Sequence, residues 1–207
     1  MSKFTVTITR EFGSGGRTIG KMLAERLGVE YYDKDLIKLA SEESGINEDL
    51  FSRADESRRT GVFKRYDGSL GEKLISPESG EFTSDDNLFN YQAKIIKQLS
   101  DRETCVIVGR CADHVLHDRE NVLRVFTHAP MPFCIEKVVE IYGVSEKEAE
   151  RQIERINRAR ATYYRYYTGK EWDNARNYDL CLNTEELGFE RCVDIIEHYI
   201  NVLYKSK

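Results

Sequence analysis

A strand that breaks into a glycine-rich turn and restarts as an amphipathic helix opens this chain, and it narrows the possible folds more than any other feature. Lys3 to Thr9 alternates Phe4, Val6 and Ile8 with three threonines, the two-residue period of a strand. Glu11-Phe12-Gly13-Ser14-Gly15-Gly16 breaks it. From Thr18 to Leu27, Ile19, Met22, Leu23 and Leu27 share one helical face, and Gly28 stops the helix. A turn of this kind aims backbone N–H groups at one spot, where the helix dipole adds positive potential, so an anion such as phosphate is favoured there. Gly13, Gly15 and Gly16 allow the close approach that side chains would block, and Ser14 sits among them. Arg17 adds a cation, and Thr18 offers a hydroxyl to a phosphate-bound Mg²⁺. The competing reading is a tight turn that needs small residues and binds nothing; three glycines beside a cation favour phosphate.

The rest of the chain repeats the alternation. Val29 to Tyr32 reads as a short strand, and Asp33 is placed to cap a helix carrying Leu36, Ile37, Leu39 and Ala40 that ends near Gly45. A further short helix follows from Asn47. Residues 57–84 lose periodicity among charges and glycines, as expected of a functional lid or a disordered insert. Asp85 or Asp86 is expected to cap a helix with Leu88, Tyr91, Gln92, Ile95 and Leu99 on one face. Thr104–Val108 is a continuous apolar run, the mark of a central strand buried on both faces. Val122–Thr127 is another strand, followed by a helix from Pro132 to Gly143. Ser145 and Glu148 form a capping box for a long polar helix reaching toward Tyr167. Tyr178–Asn183 is a last strand and Phe189–Leu203 a last amphipathic helix. Five strand candidates interleaved with helices predict a doubly wound α/β domain with right-handed crossovers, and no repeat is visible.

Composition narrows the partners. Lys plus Arg total 31 against 36 acids, and 31 − 36 = −5 argues against a surface built to grip nucleic acid, while leaving room for a local basic site. Hydrophobic residues at 40% and charged residues at 32% permit a folded core. No apolar run approaches the ~20 residues of a membrane helix, and the strand pattern starting at Lys3 leaves no space for a leader, so a soluble cytoplasmic protein is expected. The five cysteines include no C-x-x-C pair, which disfavours a disulfide scaffold; Cys105 and Cys181 are expected to be small buried hydrophobes. Cys111, His114 and His117 spread over about 120° of a helix, an awkward set for one metal ion, so helix packing is the preferred reading. His128 and His198 carry no assignment, and the sequence assigns no oligomeric state.

The first loop departs from G-x-x-x-x-G-K-[ST]. Aligned on its G-S-G, Gly16 stands at the lysine position and Arg10 at the leading glycine. Arg17, or Lys21 one turn on, could supply the missing charge, although an arginine does not reproduce a lysine point charge in the same space. Arg110, after the central strand, sits at the carboxyl edge of the sheet where α/β ligands bind. Arg155, Arg158, Arg160 and Arg165 cluster on the long polar helix. Read singly each is a solvated residue; read together they suit contact with phosphate. Tyr163, Tyr164, Tyr166 and Tyr167 are read as a helix packing two rings inward rather than as a stacking surface for single-stranded nucleic acid.

Thr7 to Gly20, with Tyr32-Asp33-Lys34-Asp35-Leu36-Ile37, Val108-Gly109-Arg110-Cys111-Ala112, Tyr163 to Gly169, Trp172 and Tyr178-Asp179-Leu180, resembles the cytidylate kinase-like family of P-loop nucleoside monophosphate kinases. The resemblance covers most of the chain, in order. It implies a P-loop NTPase-like three-layer α/β/α fold with a five-stranded parallel sheet, in one domain over residues 1–207. Residues 46–86 would be the acceptor-side insert and residues 145–176 a lid-like arginine-rich region. It implies transfer of the γ-phosphate of ATP, with Mg²⁺, to CMP, dCMP or a related small acceptor, and no nucleic-acid or membrane partner. ATP·Mg²⁺ would lie on Gly13, Ser14, Gly15, Gly16, Arg17 and Thr18, with Thr18 also toward the metal. The acceptor would meet Asp33, Arg110 and Asp113, and Arg17, Arg155, Arg158 and Arg165 would reach the transferring phosphate. Val108 stands where the family carries an acid before Gly-Arg. Two other readings stay open: a nucleotide or phosphate sensor with a degenerate loop, and a kinase for a different small acceptor.

Overall fold

The computed structural model describes residues 3–56 and 66–205. Strand β1 (Thr5–Arg10) leads into α1 (Gly16–Leu27), β2 (Glu30–Tyr32), α2 (Asp35–Ser44) and α3 (Glu48–Glu56). Next come α4 (Asp85–Arg102), β3 (Cys105–Val108), α5 (Ala112–Val115) and β4 (Val122–His128). Then follow α6 (Met131–Tyr142), α7 (Glu146–Thr168), β5 (Leu180–Asn183) and α8 (Thr184–Ile200). The five strands pair in parallel in the order β2-β3-β1-β4-β5, with Val6 of the central strand opposite Val106 on one side and Leu123 on the other.

The alternation of each strand sorts its side chains between two layers. Val6, Ile8, Val106, Val108, Leu123 and Val125 meet Ile19 and Leu23 of α1 and Val193 and Ile196 of α8 on one face. Cys105, Ile107, Val122 and Phe126 meet Leu36, Leu88, Ile96, Tyr164 and Tyr167 on the other. Helices on both faces of a parallel sheet leave its carboxyl edge as the open crevice, and the glycine-rich turn lies there, at the end of the central strand. A third small core, with Cys134, Val138, Ala149 and Ile153, fastens α6 to α7.

The expected α/β/α layering and five-stranded parallel sheet are present, with local differences. Asp33 does not cap α2, whose N-cap is Lys34 with no side-chain bond, so the Asp33 carboxylate is released for ion pairs. The Ser84 hydroxyl, not Asp85 or Asp86, caps α4 by accepting from Asn87 N–H. The last helix starts at Thr184, five residues before the apolar stripe, because non-helical Gly188 (φ 71°, ψ 161°) offsets its first turn. Cys181 is exposed, on an edge strand, where the pattern predicted burial. Of the aperiodic stretch 57–84, residues 57–65 lie outside the described residues. Residues 66–84 pack as turns on α4: Asn90 Oδ1 accepts from Ser69 Oγ at 2.9 Å and Gly71 N at 3.0 Å, and Asn87 Oδ1 from Ile75 N at 2.9 Å. Side-chain amides thus do the ordering that a hydrophobic period does elsewhere. Tyr164 and Tyr167 are the two buried rings of the tyrosine run. The His114 and His117 rings stack at 5.2 Å, and among the described residues no three His, Cys, Asp or Glu side chains group to hold a metal. Among them too, no helix is long and apolar enough to cross a membrane.

Candidate active site

Loop 11–15 joins β1 to α1. Gly15, the N-cap of α1, has φ 77°, and a Cβ there would run into the Phe189 ring, so both backbone sign and space call for glycine. The buried Ser14 hydroxyl lies within hydrogen-bond distance of Glu11 O (3.0 Å), Thr127 O (3.1 Å) and Thr127 Oγ1 (3.0 Å). It is therefore committed to holding the loop against β4. No side chain caps α1 and no acid occupies its first turn, so its positive end is left for an outside anion.

Four guanidinium groups converge beside this end. Arg17 Nε meets Asp33 Oδ2 at 2.6 Å, and Arg10 Nη2 lies 3.7 Å from Asp33 Oδ1. Arg110 Nε donates to Asp33 O at 3.3 Å, while its Nη1 donates to Gln92 Oε1 at 2.8 Å. Arg160 Nη1 donates to Arg10 O at 2.9 Å, and its guanidinium carbon stands 5.7 Å from the Phe12 ring centroid. Burial pushes Arg10 down to about 10; Asp33 opposes that shift, and Arg17 and Arg110 add to it. Arg160 is held well below the ordinary arginine range, first by burial and then by Arg10 and Arg17. The Asp33 carboxylate meets Arg10 and Arg17, so four guanidinium groups gather at a partly dehydrated spot. An oligophosphate is the kind of ligand that such a cluster suits.

The bend after β3 delivers Arg110. Gly109 (φ 82°), Arg110 (φ 56°) and Cys111 (φ 53°) are left-handed in succession, and two of them carry side chains. Such a conformation persists only where the surroundings impose it, and it gathers at functional sites.

A cavity of about 100 Å³ is lined by Arg10, Gly13, Gly15, Gly16, Arg17, Thr18 and Arg160, with Lys137 and Tyr142 of α6 on its far side. A larger one, about 500 Å³, opens next to it at the ends of β4 and β5, with Glu11, Phe126, His128 and Cys181 in its wall. Burial raises the Glu11 carboxyl above its usual range.

The structure brings Gly13, Gly15, Gly16, Arg17, Thr18, Asp33 and Arg110 to one crevice edge. Asp113 sits elsewhere, buried behind β1, where its Oδ2 accepts from Tyr164 O–H at 2.7 Å and its Oδ1 from Thr9 Oγ1 at 3.5 Å. Arg155 and Arg158 lie exposed on α7, and Arg165 pairs with Glu171. The α7 side chains that meet the loop are Arg160 and Asn157, whose Oδ1 accepts from Phe12 N–H at 2.8 Å. Arg10, Gln92 and Asn157 were not singled out as site residues from sequence. The three-residue spacing of Asn157 and Arg160 on one helical face was the signal for that pair, and nothing local marks Arg10 or Gln92.

The fold is a kinase-type P-loop architecture, and arginines surround its glycine-rich loop. The same fold occurs in shikimate kinase from Bacteroides thetaiotaomicron, with a TM-score of 0.55 and 15% identity over 97% of this chain and 99% of that one. The family model described as the cytidylate kinase-like family matches residues 5–186, and the chain belongs to that family. It is 26% identical over 200 residues to a cytidylate kinase of Methanosarcina barkeri, covering 96% of this chain and 97% of that protein. With a cytidylate kinase of Thermotoga neapolitana it shares 29% identity over 172 residues, covering 72% and 77%. Among solved structures it is similar to an uncharacterized protein from Eubacterium ventriosum, with a TM-score of 0.70 and 26% identity over 96% of this chain and 99% of that one.

Proposed function

We propose that this chain transfers the γ-phosphate of ATP to a nucleoside monophosphate, CMP or dCMP first among them. The observation that carries the reading is the gathering of four arginines beside an uncapped helix N-terminus: Arg10 and Arg17 meet the Asp33 carboxylate, Arg110 the Asp33 carbonyl and Arg160 the Arg10 carbonyl. Phosphoryl transfer needs little covalent chemistry from a protein; it needs positioning and neutralisation of spread negative charge. In the proposed step an oxygen of the acceptor phosphate attacks the γ-phosphorus of ATP. The new P–O bond forms as the bond from that phosphorus to the β–γ bridging oxygen breaks, and the electron pair leaves with ADP. The acceptor oxygen is already anionic, so no general base is required.

The backbone N–H groups of Gly13 to Thr18 would cradle the phosphate chain, and Arg17 would face it. Thr18, which lines the cavity, suits Mg²⁺, an ion commonly held by one or two protein oxygens plus phosphate oxygens and water. Bound there with ATP, Mg²⁺ would offset charge on the β- and γ-oxygens. Asp33 and Arg110 would form the acceptor side. The insert 46–86, of which 57–65 lie outside the described residues, would wall it, and residues 145–176 would cover the site, with Arg160 of α7 already against the loop. Arg155, Arg158 and Arg165 would join only if α7 moves.

The test is chromatographic: purified protein with ATP, Mg²⁺ and each common ribo- and deoxyribonucleoside monophosphate. ADP with CDP or dCDP is the expected product pair. ADP paired with another phosphorylated acceptor would keep the transfer and replace the substrate. No ADP across the panel would overturn the reading.

A further inference from the structure

The cation missing from the end of the loop has a structural counterpart at its beginning. Gly16, the first residue of α1, is buried, and a Cβ on it would lie 2.5 Å from Arg10 Cβ, 2.6 Å from Thr127 Oγ1 and 3.0 Å from Arg10 Cγ. A lysine cannot occupy position 16 while Arg10 and the Thr127 hydroxyl stay where they are. The Arg10 stem crosses beneath the loop at that point and carries its guanidinium to the bend after β3, where a Cβ on Gly109 would collide with Arg10 Nη1. The two glycines are thus the walls of a slot that this one side chain fills.

The head group is under-used inside the slot. The Arg10 Nε is buried with no hydrogen-bond partner, and Nη2 stands 3.7 Å from Asp33 Oδ1, beyond good hydrogen-bond length. An unsatisfied charged donor is costly to bury unless a ligand completes it. A purely structural arginine would be expected to spend its fork on carbonyls, as Arg124 does with Asp113 O, Leu116 O and His117 O. Arg10 instead lies between the glycine loop and the acceptor-side residues Asp33 and Arg110.

We propose that Arg10 is the phosphate-contacting cation of this loop, taking over from the strand end the charge that a lysine at position 16 supplies in the G-x-x-x-x-G-K pattern. This rests on the phosphate-site reading above. It predicts that the two arrangements exclude each other, and that the exchange Arg10→Gly with Gly16→Lys, which writes G-x-x-x-x-G-K across residues 10–16, restores the function of either once Thr127→Ala clears the hydroxyl from position 16.

Inorganic tripolyphosphate is the probe, titrated calorimetrically into wild type, Arg10→Gln, Gly16→Lys, Thr127→Ala and the double variant carrying Thr127→Ala, each checked for folding by circular dichroism. Arg10→Gln should bind about 10- to 100-fold more weakly, the loss of a charge-assisted hydrogen bond. Gly16→Lys alone should bind as poorly, and the double variant should return to within about fivefold of wild type. Arg10→Gln binding within twofold of wild type would overturn the proposal, and so would a double variant no tighter than Arg10→Gln. If the variants do not fold, the Arg10 ¹⁵Nε–¹Hε resonance of the wild-type chain decides: it should shift on titration, and a resonance that stays put refutes the contact. Binding is read without turnover, so a chain that phosphorylates no acceptor still tests Arg10. Transfer unaffected by Arg10→Gln would sink Arg10 alone.

Discussion

Replacing Asp33 by Asn removes the carboxylate that pairs with the arginine cluster while leaving its shape. The Arg10 partner stands at 3.7 Å, and at an effective dielectric of about 20 the gross attraction is about 332/(20 × 3.7), or about 4–5 kcal/mol. Removing one partner of a buried pair leaves an uncompensated charge and typically costs about 3–5 kcal/mol, whereas the Arg17 pair, with Arg17 half exposed, adds little. A loss of about 3 kcal/mol at about 2–4 °C per kcal/mol, for a chain of this length, puts Tm roughly 6–12 °C below wild type. Tripolyphosphate should reverse much of this, because the anion takes the place of the carboxylate and no longer competes with it. If its affinity rises tenfold in Asp33→Asn, the variant gains about 1.4 kcal/mol more than wild type at the same saturating concentration, an extra 3–6 °C. Differential scanning fluorimetry at fixed ionic strength measures both shifts. An Asp33→Asn Tm within about 2 °C of wild type, or a ligand-induced gain no larger than that of wild type, would show that the cluster does not act as an anion site held by Asp33.

Among the α7 arginines, Arg160→Ala should cost phosphoryl transfer the most, on the order of 10²-fold in kcat; a larger loss for Arg155→Ala, Arg158→Ala or Arg165→Ala would refute the placement. Gly15→Ala meets both the positive φ of 77° and the Phe189 ring, so it should weaken ATP binding at least about tenfold and lower Tm, which calorimetry and a thermal melt read directly. Tyr164→Phe removes the 2.7 Å bond to the buried Asp113 carboxylate and should cost about 1.5–3 kcal/mol in urea unfolding. Burial raises the Asp113 carboxyl above its usual range, so stability from its protonated form is fully present below about pH 4 and is lost as pH rises through the folded-state value. Because Tyr164 O–H supports the ionised form, the cost of Tyr164→Phe should grow as pH rises through the folded-state Asp113 titration. A cost that falls with rising pH across the range where the chain stays folded would refute that support.

The periodic parts of this protein were legible in the sequence. Period-two alternation in 3–9 and 122–127, the apolar run 104–108 and the glycine-rich turn specified a parallel α/β sheet with an anion-favouring loop at its carboxyl edge, because burial and backbone geometry act over a few neighbouring residues. Local pattern also placed Arg17 and Arg110 beside that edge, since each directly follows a punctuating glycine. Which arginines gather at that loop was decided elsewhere. Arg10 reaches the site because Gly16 and Gly109, 93 positions apart, clear a slot for it; Arg160 does so because the turn of α7 that presents it meets Phe12 rather than solvent. Asp113, legible as an acid after the Gly-Arg pair, is turned inward to Tyr164 by the left-handed bend at residues 109–111. Charge and small size can be read from a residue's name. The partner that makes a charge functional is fixed only when distant segments pack, because the desolvation and Coulomb energies of a cluster depend on distances that no local sequence pattern encodes.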